Sequence, residues 1–220
     1  LAPGPGPAAA QEPRPRWEAG GVGLAVSQQA YPGSDQRVQR GIALPYVIYR
    51  GRYLRAGSEG VGVRPIRRPA YEVDVSAAAA FGSRARDDPA RRGMPDLGTL
   101  VEFGPRVKLN LGGSPESGRW RLDLPLRGVF DLDDGLAYRG AVFQPGLYWL
   151  SRSGSWTWKL GGSVLIADER LARTFYEVAP GQATPARPAY DASAGLLATR
   201  LSASVARELT PDWTLFGFGR

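Results

Sequence analysis

Residues Glu102 to Leu111 read EFGPRVKLNL. Phe103, Pro105, Val107, Leu109 and Leu111 alternate with Glu102, Gly104, Arg106, Lys108 and Asn110. A β-strand turns successive side chains to opposite faces, so this segment has one apolar face and one face with full charges in mid-strand. The pattern recurs in RLDLPLRGVFDL, Arg121 to Leu132. There Leu122, Leu124, Leu126, Phe130 and Leu132 oppose Arg121, Asp123, Arg127 and Asp131. From Tyr71 to Phe81, Tyr71, Val73, Val75, Ala77, Ala79 and Phe81 oppose Glu72, Asp74 and Ser76. From Leu197 to Arg207, Leu197, Leu201, Ala203 and Val205 oppose Arg200, Ser202 and Ser204.

Two architectures produce such stripes. A soluble sandwich or barrel turns the apolar face inward, whereas a membrane barrel turns it to lipid and keeps the polar face in its lumen. Three features favour the membrane barrel. The segments run to about 10–14 residues, long enough to cross a bilayer at a tilt. Charges stand in mid-strand, as Arg106 with Lys108 and Asp123 with Arg127. Aromatics gather near strand ends, at Trp17, Tyr46, Tyr49, Trp120, Tyr148, Trp149, Trp156, Trp158 and Trp213, as in interfacial girdles.

Composition agrees with an all-β chain. The 220 residues are 43% apolar and 22% charged, with 29 Gly and a Trp plus Tyr total of 15 from 6 and 9. Cys and His are both absent. That excludes disulfides and a Ser-His-Asp hydrolase, and it removes the usual ligands of zinc, haem and copper. There is no G-x-S-x-G and no phosphate-binding loop motif. No enzyme, cofactor or metal role is expected, and no catalytic, cofactor-binding or metal residue is assigned. A net charge of +7 and a pI near 10.0 suit anionic lipid, polysaccharide or nucleic acid, or a solvated arginine-rich surface. No apolar run of about 20 residues is present, which leaves a β-barrel open. Residues 1–16, LAPGPGPAAAQEPRPR, read as a flexible lead-in or a signal-peptide remnant, with Ala8–Ala10 resembling a small-residue cleavage site. Residues 17–220 read as the barrel.

The order of the turns adds a resemblance. Tyr31-Pro32-Gly33-Ser34-Asp35 follows the first strand. PYVIYRGRYL and GVGV come next, then the Gly82–Asp96 loop with SR, DDP and DL, and much later Pro188-Ala189-Tyr190-Asp191-Ala192. This succession resembles the MipA/OmpV family of outer-membrane proteins, named for an MltA-interacting protein. The resemblance implies a β-barrel in the outer membrane of a Gram-negative bacterium, set among lipid and lipopolysaccharide. It implies a scaffold joining a lytic transglycosylase to a penicillin-binding protein during peptidoglycan growth; a porin-like pore for small, anionic solutes is the alternative. No nucleic-acid partner is expected.

Outer-membrane barrels keep both termini and their short turns in the periplasm. Strands placed at 17–26, 41–50, 53–56, 61–66, 71–81, 98–111, 119–131, 137–150, 156–167, 192–206 and 213–220 put the connections 27–40, 57–60, 82–97, 132–136 and 168–191 outside. The short turns 51–52, 67–70, 112–118, 151–155 and 207–212 fall inside. Merging 53–66 into one strand would send the longest loops to the wrong side. The eleven strands so placed are an odd number. A full-length barrel of about 12 strands is therefore expected, with the last strand missing from this chain.

Three polar clusters remain. Asp131–Gly135, DLDDG, resembles the start of a calcium loop but lacks the later Glu, and Asp-Gly is a strong hairpin turn. Asp87 and Asp88 beside Arg84, Arg86, Arg91 and Arg92 read as a mixed-charge loop, whose arginines suit lipopolysaccharide phosphates. Lumenal Arg106, Lys108, Arg121, Arg127 and Arg200 against Glu102, Asp123 and Asp131 read as mutual neutralisation in a narrow lumen, or as a weakly anion-preferring pore. In AYPGSDQ, Ala30 to Gln36, Pro32-Gly33 is expected to set a turn and Asp35 to bond nearby backbone amides.

Overall fold

The computed structural model describes residues 17–49, 54–57, 60–63, 66–210 and 212–219. The 1–16 lead-in and the expected turn at 51–52 lie outside the described residues. The strands are β1 (Trp17–Gln29), β2 (Arg37–Tyr49), β3 (Leu54–Gly57), β4 (Gly60–Val63), β5 (Ile66–Arg67), β6 (Tyr71–Ala80) and β7 (Leu100–Ser114). They continue as β8 (Gly118–Asp131), β9 (Ala137–Phe143), β10 (Gly146–Ser153), β11 (Trp156–Ala167), β12 (Gly195–Thr210) and β13 (Trp213–Gly219). All described pairings are antiparallel, and they follow chain order once β9 and β10 are taken as one strand position, as alternating apolar stripes joined by turn residues dictate.

Pairing joins β5 to β13 in one sheet, with β1–β2 and β3–β4 as separate hairpins. β2 lies beside β3, and β4 beside β6, so the whole is a meander. Among the described residues no pairing joins β13 to β1, and every described residue of β13 is exposed.

The strand expected at 137–150 is interrupted. β9 pairs with the far half of β8 and β10 with the near half, so the two occupy one position in the sheet. The break falls at Gln144–Pro145, because Pro145 has no N–H to give the ladder. Its flanks stay stitched: the Gln144 amide donates to the Pro125 carbonyl at 3.1 Å, and the Val164 amide to the Pro145 carbonyl at 3.1 Å. The first loop is shorter than expected, since pairing reaches Gln29 and Arg37 and leaves only 30–36.

The face that is buried is the polar one. Lys108 and Asp123 are each 4% exposed and Arg127 6%, whereas Phe103 and Leu126 are 52% exposed and Leu201 80%. Alternation holds through β6 and β8, and through β7 as far as Asn110, where a register shift intervenes, but two outward assignments need correction. A register shift at Leu165/Ile166 places Leu196 outward and packs Leu197 against the buried cluster. Tyr148 is buried on the polar face, so it is no girdle residue.

Toward the long-loop end the polar face gives way to apolar residues. Leu100, Val129, Val142, Leu165, Ala167 and Leu171 form a buried cluster. Leu171 belongs to α1 (Glu169–Tyr176), a helix inside the connection that sequence placed at 168–191 as a loop. Asp168 caps it: one carboxylate oxygen accepts from the Leu171 amide at 2.9 Å, the other from the Ala141 amide at 2.9 Å. α1 approaches β9 at Gly140, whose φ is +126°. A Cβ there would stand 2.2 Å from Asp168 Oδ1 and 2.7 Å from the Leu171 nitrogen. Gly140→Ala should therefore lift the helix and destabilise the folded state by about 1–3 kcal/mol. Gly21→Ala, where nothing lies within 4 Å, should be near neutral by urea unfolding in detergent.

Candidate functional site: a charge-paired face under a locked loop cap

The polar face forms an almost continuous ladder of ion pairs. At the register pair Asp74↔Arg106, the guanidinium is bidentate, at 2.8 and 2.6 Å. Lys108 Nζ reaches Glu72 at 3.0 Å and Asp74 at 2.8 Å. Arg121 grips Asp123 at 2.7 and 3.1 Å, and Lys159 Nζ lies 3.9 Å from the same carboxylate and over the Tyr148 ring. Arg127 is the hub. It donates to Glu102 at 2.9 Å, Ser76 at 3.3 Å and Gln144 at 2.6 Å, and Gln144 passes the chain to Ser163 at 3.1 Å. One hydrogen-bonded network thus ties β6, β7, β8 and β11 through the interrupted strand. Arg200 stands across from Ser163 in register, and its charge reaches Tyr176.

Of the lumenal residues expected from sequence, Arg106, Lys108, Arg121, Arg127, Glu102 and Asp123 all enter this ladder. Glu72 and Asp74, which alternation places on the polar face opposite Val73, join it as well. Sequence reasoning missed Lys159, for which the alternation with Trp158 and Leu160 is the available signal. Asp131 lies nearer the loops, 6% exposed, and accepts from Arg139 at 2.9 Å. Buried ion pairs hold together only when both partners are present and further bonds satisfy them, a condition that the bidentate and bridging contacts meet.

Above this face, three connections interlock: 30–36, 81–99 and 168–194. The first is built on a turn in which the Ser34 amide donates to the Tyr31 carbonyl at 3.0 Å, with Pro32 and Gly33 (φ +87°) at the centre. Ser34, not Asp35, makes the local bond to backbone. Its Oγ accepts from the Gln36 amide at 3.1 Å, while Asp35 meets only the Gln36 side chain, because Ser34 is the residue turned inward. Ser34 Oγ also donates to Asp88 at 3.3 Å.

Asp88 and Arg91 are buried, not solvated loop charges. Asp88 Oδ1 caps a short turn at the Ala90 amide, 2.9 Å away. Arg91 donates to the Phe175 carbonyl and, at 3.2 Å, to the Pro95 carbonyl, and stacks 5.5 Å over the Tyr31 ring. Tyr176 closes the triangle, donating to the Pro32 carbonyl at 2.7 Å and meeting Tyr31 edge-on at 6.0 Å. Arg187 clamps the 168–194 connection to its neighbour through the Ala90 and Arg92 carbonyls, at 2.8 and 3.2 Å.

The Asp131–Gly135 turn joins this end as a hairpin. Asp131 accepts from the Asp133 amide at 3.0 Å, and Asp133 from the Thr99 amide at 2.8 Å. Among the described residues no group of carboxylates is arranged to hold a metal ion. A cavity of about 760 Å³ lies beside the cap, lined by Arg37, Arg40, Arg84, Asp87, Asp96 and Asp133. A second, of about 490 Å³, is lined by Tyr31, Tyr176, Tyr190 and small residues from Ala192 to Gly195. It joins the YPGSD and PAYDA segments quoted above.

A family model described as MltA-interacting protein MipA matches residues 20–220. No curated protein and no solved structure matches.

Two outcomes follow from this geometry. Arg127→Ala strips Glu102, Ser76 and Gln144 of their shared cation, with Glu102 only one-fifth exposed, and should lower stability by about 3 kcal/mol. Arg127→Met with Glu102→Gln should lose markedly less, by urea unfolding in detergent. The cap should also loosen in alkali. Burial first, and the neighbouring Tyr31 second, push the Tyr176 phenol from 10.0 up to about 12, and burial raises Tyr31 as well. Unfolded tyrosines ionise near 10 while these two stay neutral, so stability present below pH 10 falls as pH rises from about 10 to about 12. Tyr176→Phe should flatten that decline in the urea midpoint, and adding Tyr31→Phe should flatten it further.

Proposed function

This chain belongs to the MltA-interacting protein family, and on that premise we propose that it is a β-barrel of the Gram-negative outer membrane that scaffolds peptidoglycan-remodelling enzymes. The inversion of the sheet carries the membrane reading: charges are buried and paired while leucines and aromatics are bared. In water that arrangement exposes a large apolar surface, whereas in lipid it is the low-energy one. The bared stripe also has the right height. Trp156 to Ile166 on β11 and Trp120 to Phe130 on β8 each take roughly ten steps of ~3.4 Å at a tilt of about 40°, rising about 26 Å. In this reading β4 with β5, and β9 with β10, each fill one position of a closed barrel of about 12 strands.

The ladder and cap favour a scaffold over a pore. Cations on the polar face are held by carboxylates, and the loop end is filled by the apolar cluster beneath α1. The long connections cluster at one end, so the turns at 68–70, 115–117 and 154–155 lie at the other. In this reading that end faces the periplasm and a lytic transglycosylase of the MltA kind.

The full-length protein in planar bilayers should give no steady single-channel steps, and the immobilised protein should retain a purified transglycosylase of that kind. Regular conductance steps, with no retention, would replace the scaffold by the pore for small anionic solutes.

A further inference from the structure

The YPGSD and PAYDA segments both line the smaller cavity of the cap, about 490 Å³ in volume. Among the described residues that lining carries no charged side chain. Neighbouring charges are engaged elsewhere: Asp191 accepts from Arg173 at 3.0 Å, and Arg91 donates to the Phe175 and Pro95 carbonyls. The three tyrosines of the lining are not equivalent. Tyr31 lies under Arg91 and meets Tyr176 edge-on, and the Tyr176 hydroxyl donates to the Pro32 carbonyl. Tyr190 is 55% exposed and stacks on no other ring among the described residues. Its backbone is pinned all the same. Its amide donates to the Val178 carbonyl at 3.0 Å, and its carbonyl accepts from the Val178 amide at 2.9 Å. A bare aromatic face is thus held in place before any ligand arrives.

Beside that ring, the backbone of Ala192, Ser193 and Ala194 makes no hydrogen bond among the described residues, and neither does the Ser193 hydroxyl. The walls stand clear: a Cβ built at Gly33 or at Gly195 would meet nothing within 4 Å. We infer that this cavity binds an uncharged saccharide, with one sugar ring laid on Tyr190. A sugar ring presents a face of C–H groups to an aromatic ring, and a rim of hydroxyls to peptide N–H and C=O groups. The cavity supplies both kinds of surface and no ionic group to select an acidic or an amino sugar. An acyl chain would instead cover the 192–194 peptide groups and the Ser193 hydroxyl without giving them partners. The volume falls in the range of small-ligand sites, roughly 300–1,000 Å³. The site lies at the loop end, apart from the turns offered to a transglycosylase.

Full-length protein in a detergent without a sugar headgroup, applied to an array of glycans, tests this. The array carries neutral hexose and N-acetylhexosamine oligosaccharides beside sulfated and sialylated ones. Neutral glycans should retain the protein. Tyr190→Ala should weaken that binding about tenfold or more, and Tyr190→Phe should keep most of it, because the ring face does the stacking. Gly195→Leu, whose side chain enters the cavity, should abolish it. Both Tyr190→Ala and Gly195→Leu should leave the urea midpoint in place, since one ring is exposed and the other Cβ meets open space. Retention by sulfated or sialylated glycans alone, retention that survives both substitutions, or retention by no glycan overturns the inference.

Discussion

Arg127 sits at the point where the polar face would otherwise fail. Its guanidinium is nearly removed from solvent and gives its donors to Glu102, Ser76 and Gln144, which stand on three different chain segments. A buried cation left short of partners would cost several kcal/mol, so the strands that supply those partners are held in register by it. The same logic extends along the face through Asp74 with Arg106 and Lys108, and through Asp123 with Arg121 and Lys159. The sheet is fixed along its polar face by electrostatic satisfaction. The opposite face is thereby free to be uniformly apolar.

The loop end is organised differently. There an apolar cluster replaces the ion pairs, and α1 lies over it. Side chains reaching backbone carbonyls then bind the three connections: Arg91 to Phe175, Arg187 to Ala90, Tyr176 to Pro32. Such bonds satisfy loop backbone that has no strand partner, which lets long connections be rigid. The short turns at the other end have no comparable superstructure among the described residues and stay accessible beside the tryptophans.

Much of this was legible in the alternation of residues 102–111 and 121–132, because a period of two with charges in mid-strand is the direct consequence of a sheet with one polar and one apolar face. The topology was legible too. Requiring the longest connections to share one side forced the split between β3 and β4, and the structure gathers the 30–36, 81–99, 132–136 and 168–194 connections at one end. What escaped depended on single residues in three dimensions. An extra residue near Leu197 flips two side chains without changing composition. Tyr148 and Trp149 are adjacent aromatics, and only register decides which is buried. Asp35 and Ser34 are equally good turn formers, and the cap's packing selects Ser34 as the inward one. α1 was foreshadowed by Asp168 before an apolar stripe of Leu171, Ala172, Phe175 and Tyr176. Its short length hid it in a connection whose other residues favour turns.

We propose that the inverted sheet has lipid as its solvent. Sedimentation of the purified chain with and without detergent tests this directly. A lipid-facing sheet gives a folded, monodisperse β-protein in detergent micelles and aggregates once detergent is withdrawn. A folded monomer that remains soluble in plain buffer would contradict it.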